Sequence, residues 1–390
     1  LLLALLASLL SFAKFNHCPN NGWQSPDQYV HACYSDIPAL YGERALDKGV
    51  WAYSSGADSV EYPVIQGSVM WLTAKVIPHG INNYFYGSAI LLALLFIFIS
   101  LLLFKMKPEF GYLLPLAPAA VASMYINWDL WAIATMLLAI YWFDRKKYLG
   151  SAALLGISIS TKFLPIFLLI PIVFIFWREG KNKEGIKYIA VTFATWLAIN
   201  LPFAITTPTG WWRFYKLNLE RGPDWGSIWL ALQQLGINFT NLNWLSILLL
   251  LIAFTTIAVL LFELNHTPTL ASVAFFVLAS VMLASKVYSP QYVLWLTPLA
   301  VIALTNTKDL HAFWLWQTTE TIYHIAIWQH LAHVTDAKFG LGPTPFAILT
   351  LLRIAGTLYL MAILARRALQ ARNTHSRLLD LLFEGSKAYP

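Results

Sequence analysis

Apolar runs close to the length of a bilayer-spanning helix recur from one end of this chain to the other, and they leave it few folds. In hydrocarbon every backbone N–H and C=O must find an internal partner, so only helices and closed barrels span a membrane. A barrel would show short segments of period-two alternation, and none is visible. The composition agrees: 58% of the 390 residues are hydrophobic and 12% charged, against roughly a quarter charged in globular domains. An all-α polytopic membrane protein is the expectation.

The first residue is Leu1, and residues 1–15 read as the outer part of a truncated first span; a cleaved signal peptide is the alternative. Residues 16–81 form a long polar loop, too polar to span and too rich in apolar and aromatic residues for a linker. Ile37 to Val50 and Val64 to Ile77 have the spacing of amphipathic helices lying at the membrane surface. Residues 82–365 form the multi-span domain. Its spans are expected near Asn82–Phe104, Gly111–Tyr125, Trp128–Phe143, Tyr148–Thr161, Phe163–Trp177, Tyr188–Ile205, Trp244–Phe262, Thr269–Ser285, Pro290–Leu304, His311–His330 and Thr344–Ala365. With the first, that makes about twelve, several of them short. Residues 366–390 read as a basic cytoplasmic tail.

Basic clusters at Lys105/Lys107, Arg145 to Lys147, Arg178 to Lys187 and Arg366 to Arg377 alternate to one side, the cytoplasm under the positive-inside rule. They account for the net charge of +7 without nucleic acid. The 16–81 loop and the loop Thr206 to Asn243 then face outward.

Polar residues that interrupt apolar runs collect at the outward span ends: Asn127-Trp128-Asp129, Thr161-Lys162, and Ser285 to Tyr292. Glu320 and His324 share one face of the eleventh span. Ionisable groups at such depth are costly and are functional suspects. Cys18 and Cys33 fall in the outward loop, where they form either a disulfide or two free thiols. His17 and His31 adjoin them, but offer too few ligands for a secure zinc reading.

A one-sided site suits an enzyme acting on a lipid-borne substrate better than a carrier, which places its ionisable residues near the midplane between internal repeats. Asp36 can act as a base on an acceptor hydroxyl, although an Asp before Ile37-Pro38 is also good helix-capping chemistry. Lys162, Lys286, His324 and Arg213 are candidate stabilisers of a departing phosphate. Trp128, Tyr288, Gln291 and Tyr292 can stack on or hydrogen-bond a sugar, and Glu61, Asn127 and Asp129 complete the candidate set. No Asp-X-Asp triplet occurs, so no metal or other cofactor is expected.

These residues lie in YSDIPALYGERAL (Tyr34–Leu46), EYPVIQG (Glu61–Gly67), NWDLWAIA (Asn127–Ala134), ISTKFLPIFL (Ile159–Leu168) and SKVYSPQYVLWLTPL (Ser285–Leu299). In them the chain resembles the GT-C glycosyltransferases, and most closely the polyprenyl-phosphate-mannose-dependent mannosyltransferases of glycosyltransferase family 87. The resemblance implies an inverting transfer of mannose from polyprenyl phosphate mannose to a glycolipid or lipoglycan acceptor at the outer face of the plasma membrane, with Asp36 as the base. Transfer of another polyprenyl-phosphate sugar such as arabinofuranose, or transport of a lipid or small molecule, stands as the alternative.

Overall fold

The computed structural model describes residues 1–54 and 58–370, and within them regular structure is helical throughout. The all-α polytopic membrane architecture expected above is the one observed. Among the described residues, five helices are long and apolar enough to cross a membrane: Leu2–Asn20, Ile81–Met106, Asn182–Thr206, Leu242–Glu263 and Pro343–Gln370. Of the tail, Arg366 and Arg367 are described, and Arg367 pairs with Asp309 at 2.7 Å. Arg372 and Arg377 lie outside the described residues.

Shorter apolar helices fill the space between these. Leu270–Ala284 is apolar all round and buried along nearly its whole length. Fifteen residues rise only about 22 Å, less than the roughly 30 Å of a bilayer core. A helix enclosed by protein has no lipid thickness to match. By contrast, Asn182–Thr206 and Leu242–Glu263 bury only 11% of their apolar windows in protein, so their leucine and isoleucine faces are left for lipid.

Two expected helices differ from observation. Gly111–Tyr125 is not one span. It forms two short helices, Leu113–Leu116 and Pro118–Ser123, separated at Ala117, whose extended backbone (ψ 107°) is what a residue before proline prefers. They lie against the first helix, Val293–Ala303 and Leu310–Val334. The surface helix placed at Ile37–Val50 runs only over Asp36–Glu43, because the chain turns through a left-handed residue at Ala45 (φ 48°). The second, Val64–Val76, packs on Ile81–Met106, Tyr148–Thr161 and Asn182–Thr206. Gly67 is required there, since a Cβ would collide with the Tyr53 hydroxyl.

Helix direction reverses at each turn through the middle of the chain. Leu130–Asp144 and Tyr148–Thr161 pack as a hairpin, and Asn182–Thr206 returns beside the latter. The turns carrying Arg145 to Lys147 and Arg178 to Lys181 therefore sit at one end of the bundle, and those carrying Asn127 to Asp129 and Lys162 at the other. At the basic end Arg178 donates to the Leu261 and Leu264 carbonyls.

Candidate active site

At the opposite end, six segments far apart in sequence meet around a cavity of about 620 Å³. It is lined by Asp36, by Glu61 and Tyr62, by Asn127 and Asp129, by Lys162, and by Ser289, Gln291 and Tyr292. Together they represent all five stretches singled out above, and Trp212 to Arg221 supply the sixth segment.

Asp36 owes its position to its neighbour. Ser35, and not Asp36, caps the helix: its Oγ accepts the Ile37 N–H at 3.1 Å and donates to the Tyr125 carbonyl at 2.7 Å. The Asp36 N–H donates to the Ile126 carbonyl at 2.8 Å. The capping alternative thus falls to Ser35, and the Asp36 carboxylate is left for the cavity. Tyr34 donates to its Oδ1 at 2.9 Å and Asn127 Nδ2 to its Oδ2 at 2.7 Å.

Burial pushes Asp36 up to about 6, against the pull of the Tyr34 and Asn127 hydrogen bonds and the Lys162 charge, with Asp129 adding to the rise. That brings the carboxyl close to the range in which a general base is most effective near neutrality. The Asp36 charge, with burial, holds the Tyr34 phenol far above its usual range, so Tyr34 stays a donor. Burial, reinforced by Asp36, does the same for Tyr62.

Lys162 occupies the C-cap of Tyr148–Thr161, in extended backbone ahead of the 3-10 turn Leu164–Leu168 that Pro165 opens. Its Nζ pairs with Asp129 Oδ1 at 3.0 Å and lies 4.4 Å from the Tyr62 ring centre. Asp129 is 1% exposed, so this pair is withdrawn from bulk water. Glu61 is committed to Arg44 through two hydrogen bonds of 2.6 and 2.8 Å. Phe163, Phe167, Trp212, Phe214 and Leu217 add apolar surface to the lining.

Not all candidates reach this cavity. Lys286 does not line it; its Nζ donates to the Arg221 carbonyl at 2.6 Å, and burial, followed by the nearby Arg221 charge, lowers its pKa. Arg221, which the sequence reading passed over, takes its place at the wall and pairs with Asp224. His324 is buried behind the site, with Nδ1 3.3 Å from Ser123 Oγ. Glu320, expected to work with His324, instead pairs at 2.8 Å with Arg353 and accepts from Tyr288 at 3.0 Å.

That leaves Tyr288 buried in a structural network. Trp128 is likewise buried, against Tyr62 and Tyr84, so neither ring is open to a sugar. Arg213 lines a separate surface recess with Pro208, Trp212 and Lys216. The signal for Arg353 was present: an arginine inside the apolar run Ala347 to Leu360 is costly and calls for a partner. Arg353 also donates to the carbonyls of Tyr288 and Ser289, and thereby holds the strand of chain that enters the cavity at Ser289.

No family model matches this sequence, and no curated protein matches it. Among solved structures the fold is similar to the crystal structure of ArnT from Cupriavidus metallidurans bound to undecaprenyl phosphate, at 13% identity over 94% of this chain and 77% of that one, with a TM-score of 0.48. At that distance the chemistry of this chain has to be argued from its own residues.

Proposed function

We propose that this protein is a membrane-embedded, inverting glycosyltransferase of GT-C type that moves mannose from polyprenyl phosphate mannose to a hydroxyl of a glycolipid or lipoglycan acceptor. The observation that carries the proposal is the convergence of Asp36, Asn127, Lys162 and Gln291 on one cavity whose lining combines polar and charged side chains with large apolar ones. An amphiphilic donor has that combination: a charged, hydroxyl-rich head on a long hydrocarbon chain.

In the reaction Asp36 accepts the proton of the acceptor hydroxyl as its oxygen attacks the anomeric carbon. The bond from that carbon to the phosphate oxygen breaks with inversion, and polyprenyl phosphate departs. Lys162 and Arg221 supply positive charge for the phosphate, the kind of preorganised electrostatic stabilisation that contributes most to such transfers. Gln291 and Tyr292 offer hydrogen bonds to the sugar. Glu61 and Asp129 are each committed to a cation of the protein, and no metal is invoked. Lys286 and His324 act from behind the wall, through the Arg221 segment and through Ser123. The resemblance of the five stretches to glycosyltransferase family 87 supports mannose as the sugar. Basic turns at the far end of the bundle support an outward-facing site in the plasma membrane.

The test is a transfer assay with purified protein, polyprenyl phosphate mannose and a membrane glycolipid extract. Release of polyprenyl phosphate with mannosylated lipid is the expected result. Transfer from polyprenyl phosphate arabinofuranose alone would change the sugar assignment, and no release from either donor would overturn the reading.

A further inference from the structure

The geometry points to a second, chemically separate site on the same loop: a transition-metal site formed by His17, Asp27 and His31. His17 lies in the short helix His17–Asn20, Asp27 opens the short helix Asp27–Val30, and His31 is the residue that ends it. Both imidazoles converge on one carboxylate. His17 Nε2 is 2.6 Å from Asp27 Oδ2, and His31 Nδ1 is 3.0 Å from Asp27 Oδ1. The two rings stack with centres 3.6 Å apart. One ligand atom from each residue fits within a sphere of mutual distances below 4.8 Å.

Two imidazole nitrogens and one carboxylate oxygen are a donor set for Zn²⁺, with a fourth position left to water. Ca²⁺ and Mg²⁺ favour all-oxygen shells. The sulfurs of Cys18 and Cys33 are not available as ligands, because they are joined in a disulfide. That disulfide instead serves the site: Cys18 follows His17 directly and Cys33 lies two residues beyond His31, so the cross-link holds both histidine-bearing segments together. The three side chains are 34 to 45% exposed, which leaves the rings free to rotate and separate into the ligand arrangement around Zn²⁺ and gives the ion a path from solvent.

The site also touches the cavity indirectly. Tyr29, in the same short helix as Asp27, stacks on Tyr34 at 5.4 Å, and Tyr34 donates to Asp36. Metal binding would therefore stiffen the segment that aims the Asp36 carboxylate, as a positioning device and not as part of the transfer.

The experiment uses the full chain purified through a tag without histidines, and measures bound Zn²⁺ after equilibrium dialysis against defined free Zn²⁺. About one Zn²⁺ per chain is expected, with Mg²⁺ not competing, and His31→Ala and Asp27→Asn should each weaken binding at least ~10-fold. A monodisperse size-exclusion profile and an unfolding midpoint like that of the wild type report that each variant has folded. Hydrogen exchange across residues 27–36 should slow on adding Zn²⁺ to the wild type and not to the variants. Zn²⁺ retained equally by the wild type and by both folded variants would overturn the site, as would a wild type that retains none. Neither outcome depends on glycosyl transfer, so it stands or falls apart from the proposed activity.

Discussion

Asn127 donates to Asp36 across 91 residues of chain at 2.7 Å, and the rest of its side chain is equally engaged. Its Nδ2 also meets the Tyr62 hydroxyl at 2.9 Å, while its Oδ1 accepts the Trp128 N–H at 2.6 Å and faces Lys162 Nζ at 3.5 Å. The amide is thus oriented from both sides, and it orients the carboxylate.

Replacing Asp36 by Asn removes the proposed base without changing its size. Sugar transfer is expected to fall by roughly 10²- to 10⁴-fold, with donor binding retained. For the wild type, a carboxyl near 6 must be ionised to accept a proton. kcat/KM should therefore decline about tenfold per unit as pH drops below that value and level off above it. A profile flat down to pH 4.5 would exclude Asp36 as the base.

Tyr34→Phe tests how that value is set. The Tyr34 hydrogen bond favours the ionised carboxylate and so lowers the Asp36 pKa. Its loss should move the acid limb of the rate profile to higher pH, while the plateau changes less. An unmoved limb would mean that Tyr34 only packs.

Lys162→Met should abolish transfer and also destabilise the protein, by about 3–5 kcal/mol, because it strands Asp129 as a buried charge. Adding Asp129→Asn separates the two effects. Thermal stability should recover in the double variant and activity should not; recovery of both would remove Lys162 from the phosphate site.

Arg353→Met strands Glu320 in the same way, with a loss of about 3–5 kcal/mol expected in thermal or chemical unfolding. Glu320→Leu combined with Arg353→Met should cost less than either alone, since neither charge is then left unpaired. A double variant as unstable as the singles would show that the bonds from Arg353 to Tyr288 and Ser289 matter more than the pair.

Gly226→Ala should be among the most damaging conservative changes in the segment between Thr206 and Asn243. Gly226 has φ +77°, and a Cβ there would run into the Tyr288 carbonyl and the Tyr323 hydroxyl. Loss of folded protein on size-exclusion chromatography is the expected result, and a well-behaved variant would mean that this loop adapts.

Local chemistry and periodicity were enough to recognise an all-helical membrane protein, to locate most helices, and to nominate Asp36, Glu61, Asn127, Asp129, Lys162, Gln291 and Tyr292, which line one cavity. These are polar residues at the ends of apolar runs, where the cost of burying them is visible from the neighbours alone. What the sequence could not settle is which cost is met by which partner. Glu320 and His324 are four residues apart and invite pairing, yet Arg353, 33 residues from Glu320, takes the carboxylate, and Ser123 takes the imidazole. Lys286 looks like a site cation, yet it is occupied by the carbonyls of the segment that brings Arg221 to the wall. Hydrophobicity is additive along a chain and can be read residue by residue. Hydrogen bonds and ion pairs are made between particular atoms, and only the packing of the helices determines which of those atoms come within reach.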